Sequence, residues 1–182
     1  MTTSYRHDRS TLDVLEALGG TTFEGIVWRV TRSERDALRG SSANGRWSGN
    51  GEPEVLYTSL EKHGALAEIG FRLAAEPIWP SRIRHSIHSI QAKAANIVDI
   101  GKFETLQKLG VDVSAYGSFD YAFTQAIAAA ANFLEFGGLI APSARADCNN
   151  AVFFVERNIE LEVASPEEID WDGWRKDRSR QR

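Results

Sequence analysis

The chain has 182 residues, 42% of them hydrophobic, a single cysteine and a formal net charge of −4. That length suits one compact domain, since a chain of this size buries roughly 70% of its unfolded surface; a lone Cys148 excludes an internal disulfide and fits a reducing cytoplasm. Residues 175–182 (RKDRSRQR) carry five basic and one acidic residue, so the remainder stands near −8; such a body repels a nucleic-acid backbone and leaves the tail as a solvated basic segment.

In chain order, the first residues (MTTSYRHDRS) lack the basic-then-apolar pattern of a signal peptide. Leu12, Leu15 and Leu18 recur at helical spacing before Gly19-Gly20, which predicts a helix over 11–18. FEGIVWRV then alternates, a strand with Ile26, Trp28 and Val30 on one face and Val27 and Arg29 on the other. SERDALRG (33–40) reads as a short helix capped by Ser33, followed by a glycine-rich loop and a strand, VLYTSL, whose Val55, Tyr57 and Ser59 share a face. A helix is expected over 60–75, with Leu66, Ile69 and Leu73 as its buried stripe and Glu68 turned over small residues. RIRHSIHSIQAK and NIVDI read as two strands and KFETLQKLG as a helix. A long helix over 119–136 stops at Gly137-Gly138, and GLIAPSA and AVFFVE complete the sheet. The longest weakly polar stretch, AIAAAANFLEFGGLIAP, is interrupted by Asn132, Glu135 and two glycines, short of the ~18 apolar residues of a membrane span. Strands and helices without strict βαβ alternation indicate an α+β fold in a single domain, 1–182.

Most familiar chemistries fail on spacing. GSSANGRW has two glycines at P-loop separation but Arg46-Trp47 where Lys and Ser or Thr would follow, and no GxGxxG succeeds a strand. His85 and His88 are three apart on a strand, which sends them to opposite faces, so no metal site is expected. Ser143 lacks the GxSxG elbow, although His85 and Asp147 offer partners for a triad. Five polar residues survive: Arg29, Arg46, Tyr57, Glu68 and Ser143. Each has a plain reading as well: Arg29 pairs with Glu24, Glu68 with Arg72 one helical turn on, Tyr57 is a half-buried strand aromatic, and Ser143 shapes the turn after Pro142. Arg46, between Gly45 and Trp47-Ser48-Gly49, sits where backbone approaches a ligand closely, which suits a phosphate.

The run WRV…ALRG…NGRWSGNGEPEVLYTSLEKHGALAEI, with the later GLIAPSAR…NNAVFF, resembles the RES domain family, named for its Arg, Glu and Ser; the resemblance covers residues 24–156. Ser48 departs from it, since many relatives carry Asn there. The resemblance implies a mixed, split sheet similar to the ADP-ribosyltransferase fold, and a toxin of a toxin–antitoxin pair that cleaves NAD+ at the nicotinamide bond, with water or inorganic phosphate as acceptor. It implies Arg29, Tyr57, Glu68 and Ser143 as the catalytic set, and Arg29, Arg46 and Tyr57 as the residues that contact NAD+. NAD+ is then a substrate, with no prosthetic group and no metal. The implied partner is an Xre-type helix-turn-helix antitoxin, with self-association into a homo-oligomer left open and neither nucleic acid nor membrane expected. An ADP-ribosyltransferase acting on a protein needs the same donor-site residues; a silent interaction module has no use for them.

Overall fold

A computed structural model describes residues 7–49 and 53–180. The first helix, α1 (Arg9–Leu18), is capped by Asp8, whose side chain accepts the Thr11 N–H, and it stops at Gly19, where a φ of 65° suits glycine. Strand β1 (Gly20–Arg32) runs antiparallel to the long β3 (His85–Asp99) from Gly20↔Val98 to Arg32↔His85. The two strands expected over 82–93 and 96–100 are this one element. From Phe23 to Thr21 β1 advances two positions while β3 advances three, Ala94 to Ile97, and Asn96, at a φ of 56°, lies at the irregularity.

Between β1 and β3 lie β2 (Val55–Ser59) and α2 (Lys62–Ala74); after β3 come α3 (Phe103–Lys108), a 3-10 turn at Val113–Ala115, α4 (Ala122–Phe133), β4 (Gly138–Pro142) and β5 (Asn149–Phe154). The sheet order is β1-β2-β5-β4-β3, and β1 also pairs with β3, so these five strands close a ring. The ring is thinnest at its β1–β2 seam, where the register is the single pair Trp28↔Ser59. Alternation then sorts side chains inward and outward. Val27, Leu56, Ile90, Ala92, Ile140, Ala151 and Phe153 form the core inside the ring. Val55, Leu139, Val152 and Phe154 face outward, into a second core with Leu15, Leu106 and the alanines of α4. Trp28 and Val30 turn outward on β1 and meet the Leu66, Ile69 and Leu73 stripe of α2.

The α+β class is as expected, with three corrections at element level. Residues 33–40 form turns and no helix: the Asp36 carboxylate accepts the Leu38 N–H and Arg29 takes the Ala37 carbonyl, diverting groups a helix would need. The fourth helix starts at Ala122, later than expected, because the Asp120 carboxylate accepts its N–H, and it stops before Glu135, whose φ is 61°. The C-terminal segment is structured. Beyond β6 (Ile159–Val163), which adds to β3, and the short β7 (Glu167–Glu168), residues Trp171–Arg180 form α5. Trp171 is 8% exposed and Trp174 half-buried, while the Arg175 guanidinium lies 4.5 Å from the Trp79 ring centre. Arg175, Lys176 and Arg178 of the tail therefore lie on a docked helix whose apolar edge is made of tryptophans. Among the described residues no helix is long and apolar enough to cross a membrane.

Candidate functional site

Helix α2 brings Glu68 to the outer face of β4 and β5. It approaches that closely because position 64 is glycine: a Cβ there would stand 2.3 Å from Cys148 Sγ and 2.4 Å from Ser59 Oγ. Glu68 Oε1 accepts two hydrogen bonds, from Ser143 Oγ at 2.7 Å and from Asn150 Nδ2 at 3.2 Å. Ser143, buried just past β4, is itself fixed, because its Oγ accepts the backbone N–H groups of Arg145 (3.1 Å) and Ala146 (3.2 Å). With both lone pairs engaged and its proton given to Glu68, the hydroxyl holds the carboxylate in one orientation. His85, its imagined triad partner, instead accepts the Trp171 indole N–H at 3.2 Å, and His88 shares a 3.0 Å hydrogen bond with Thr31.

The glycine-rich loop meets the same face through Tyr57. The phenol oxygen accepts the Trp47 N–H at 3.0 Å, and a Cβ on Gly45 would stand 2.8 Å from that oxygen, so the loop lies against the tyrosine as only glycine permits. Burial pushes the Tyr57 phenol up to about 12, against smaller opposing effects of that hydrogen bond, Arg72 and Arg46. Tyr57 therefore stays a protonated hydrogen-bond donor at neutral pH. Ser48 is fully buried and donates to the Pro53 carbonyl at 2.7 Å, closing the loop on itself. The departure at this position is a matter of loop structure.

Arg46 leaves the loop toward residues 116–121. Its guanidinium sits 4.4 Å from the Tyr116 ring centre and 4.9 Å from that of Tyr121, and Nη2 donates to the Ser118 carbonyl at 3.3 Å. Arg145 holds the other side of this segment, 3.7 Å over Phe71, 5.6 Å from Phe119 and donating to the Gly117 carbonyl at 2.9 Å. Tyr116 ties the segment to the Glu68 group: its hydroxyl donates to the Pro142 carbonyl at 2.7 Å. Its phenol is held up chiefly by burial and further by the charge of Glu68, with Arg46 acting in the opposite sense. Arg46, Tyr57, Glu68 and Ser143 thus belong to one neighbourhood, joined through Tyr116.

Arg29 lies elsewhere. It points with Val27 to the interior side of β1, where Nη1 donates to the Ala37 carbonyl at 2.8 Å, opposite His88 in the β1–β3 register. Burial, opposed by Asp36 and assisted by Arg35, lowers this guanidinium to about 10. Glu24, the partner of its plain reading, pairs with Lys93 instead.

Asn150, Tyr116 and Arg145 were not singled out from the sequence. Of these only Asn150 had a legible signal, since alternation with Val152 and Phe154 puts it on the Tyr57 face of the sheet. A concavity of about 530 Å³ borders the group through Ser143, Cys148 and Asn149. A larger one, about 910 Å³, lies between α2 and α5 against Trp79 and Trp174, and its lining includes none of the five candidate residues. The smaller reaches one candidate residue, Ser143, and Glu68 lines neither.

Residues 26–172 match the model of the RES domain. The chain is similar to the probable NAD(+) phosphorylase Rv3189 of Mycobacterium tuberculosis, at 33% identity over 159 residues that cover 82% of this chain and 75% of the relative. It is also similar in structure to the M. tuberculosis MbcT-MbcA toxin-antitoxin complex, with a TM-score of 0.79 and 19% identity, covering 93% of this chain and 97% of that one. At that identity the structural likeness speaks for the fold alone.

Proposed function

The chain belongs to the RES domain family, and on that footing we propose that it consumes NAD+ by breaking the bond between nicotinamide and ribose. In this reaction the C1′–N bond breaks with its electron pair passing to nicotinamide, which leaves neutral, while the ribose carbon takes on oxocarbenium character. An oxygen of inorganic phosphate or water then bonds to that carbon; water yields its proton to solvent. The leaving group is cationic beforehand, so the site needs no strong general acid. It needs a fixed negative partner for the ribosyl cation and cationic groups that orient the pyrophosphate.

The observation that carries the proposal is the fixed Glu68 carboxylate. Ser143 and Asn150 both donate to Oε1, which leaves Oε2 to accept from a ribose hydroxyl, a bond that strengthens as the ring becomes positive. Arg46 supplies a planar fork for phosphate oxygens, and Tyr57 a protonated phenol against ribose or nicotinamide. Arg29, which donates to the Ala37 carbonyl on the interior side of β1, is given no contact with NAD+ in this proposal. Phosphorolysis is the favoured variant because the relative is named a probable NAD(+) phosphorylase. By the same family logic the partner is an Xre-type antitoxin, the structural neighbour being a toxin-antitoxin complex.

The test is incubation of purified protein with NAD+, with and without phosphate, and chromatography of the products. Phosphate-dependent nicotinamide release with an ADP-ribose phosphate supports phosphorolysis, and release indifferent to phosphate supports hydrolysis. Labelled protein turns the reading into a transferase, and intact NAD+ under all conditions sinks it.

A further inference from the structure

We propose that Asn150, within the NNAVFF run but given no role by the resemblance, is a positioning residue for Glu68, and that it is held in this role at a cost to stability; the inference rests on the proposal that Glu68 serves NAD+ cleavage. Asn150 lies on β5 between two neighbours, opposite Ser59 of β2 and Ala141 of β4, so its backbone is fixed by ladders on both sides. Its outward side chain donates from Nδ2 to Glu68 Oε1 at 3.2 Å, the oxygen that Ser143 also holds. The amide orientation follows from charge: turned over, Oδ1 would face the carboxylate, acceptor against acceptor. The chosen orientation has a consequence at the far end of the amide. Asn150 Oδ1 is buried and has no hydrogen-bond partner among the described residues.

A buried acceptor without a partner destabilises the fold; truncation at this position removes that penalty together with the hydrogen bond to Glu68, whose Oε1 keeps the one from Ser143, so the two effects on stability oppose each other. The geometry therefore separates stability from function. A residue kept for packing would lower stability when truncated; a residue kept to aim a carboxylate would lower turnover and leave stability little changed.

The experiment compares wild type, Asn150→Ala and Asn150→Asp in thermal unfolding, NAD+ steady-state kinetics across pH, and NMR of the side-chain amides. Asn150→Ala is expected to leave Tm close to wild type, the freed acceptor offsetting the lost bond, while kcat falls about tenfold, the effect of one charge-assisted hydrogen bond, with KM within about twofold. Asn150→Asp is expected to move the acidic limb of the kcat profile to higher pH, because two facing carboxylates retain a proton. In Glu68→Ala the Asn150 amide protons are expected to move upfield. Wild-type kcat and pH profile in both variants overturn the proposal, as does a fall in Tm with kcat unchanged. Should the wild-type protein leave NAD+ intact, the functional reading falls. The amide resonances then decide alone: movement in Glu68→Ala supports the positioning contact, and no movement overturns it.

Discussion

At the level of single side chains, the site depends on donors that converge on one oxygen. Glu68→Gln keeps the volume of Glu68 but removes the charge opposite the developing ribosyl cation. Turnover of NAD+ is expected to fall by ~10²-fold or more with circular dichroism and Tm unchanged, as when one preorganised electrostatic contact is lost. Wild-type turnover in that variant would reduce Glu68 to a structural carboxylate. Arg46 makes a different demand, because its guanidinium lies against two tyrosine rings while it donates to the Ser118 carbonyl. Lysine restores charge but neither the planar face against the rings nor the fork. Calorimetry with NAD+ is therefore expected to rank wild type tightest, Arg46→Lys intermediate and Arg46→Ala weakest. Equal affinities in all three would place this arginine outside the binding surface. Arg46, Tyr57, Glu68 and Ser143 could be named from sequence as candidates, and the resemblance, more than any local pattern, gave them their proposed roles. The hydrogen bond from Ser143 to Glu68 was not legible there, since 75 residues separate the partners along the chain.

Among the elements, α5 was the least legible, and its docking is pH-sensitive. Trp171 donates to His85 Nδ1, which requires that nitrogen to be unprotonated. Burial first, and the charge of Arg32 second, hold His85 below the ordinary histidine value. The folded protein thus binds the proton more weakly than the unfolded chain. Stability is full above about pH 6.5 and declines as pH falls below it, because the unfolded state takes up the proton first. Urea unfolding at about pH 7.5 and pH 5.5 is expected to show this loss. His85→Gln, which can still accept the indole N–H, is expected to show a smaller one. Part of the slope will remain in that variant, since burial and Arg29 depress His88 as well. An identical pH dependence in wild type and variant would sever α5 docking from His85. A mostly basic composition hid this helix: RKDRSR carries no apolar periodicity, and Trp171 and Trp174 bind it to the fold together with Arg175 over the Trp79 ring.

For the molecule as a whole, the proposed consumption of NAD+ has one consequence that no side chain shows. Expression of the unmodified chain alone in bacteria is expected to arrest growth and lower cellular NAD+, Glu68→Gln is expected to do neither, and co-expression of a cognate Xre-type antitoxin is expected to relieve the arrest. Normal growth with unchanged NAD+ during high-level expression would argue for a protein-specific transferase or a silent module. The acidic body bears on the partner: with a net charge near −8 over residues 1–174, attraction of an acidic or carboxylate-ended segment must come from local cations such as Arg46 and Arg145.

By itself the sequence determined the α+β class, most of the strands and the faces of β1 and α2, and it named the candidate residues of the site. The elements and their faces follow from periodicity and from turn chemistry within a few residues, which are local properties. It also led to one helix that does not form, over 33–40, because the competing partner of that backbone, Arg29, is on the preceding strand. Only the tertiary structure decided the rest. Closure of the ring through β1 and β3, the docking of α5, the pairing of Asn150 with Glu68 and the separation of Arg29 from the other candidates all depend on contacts between distant segments. Such contacts are set by which faces of the folded elements meet, and no local pattern in the chain encodes that.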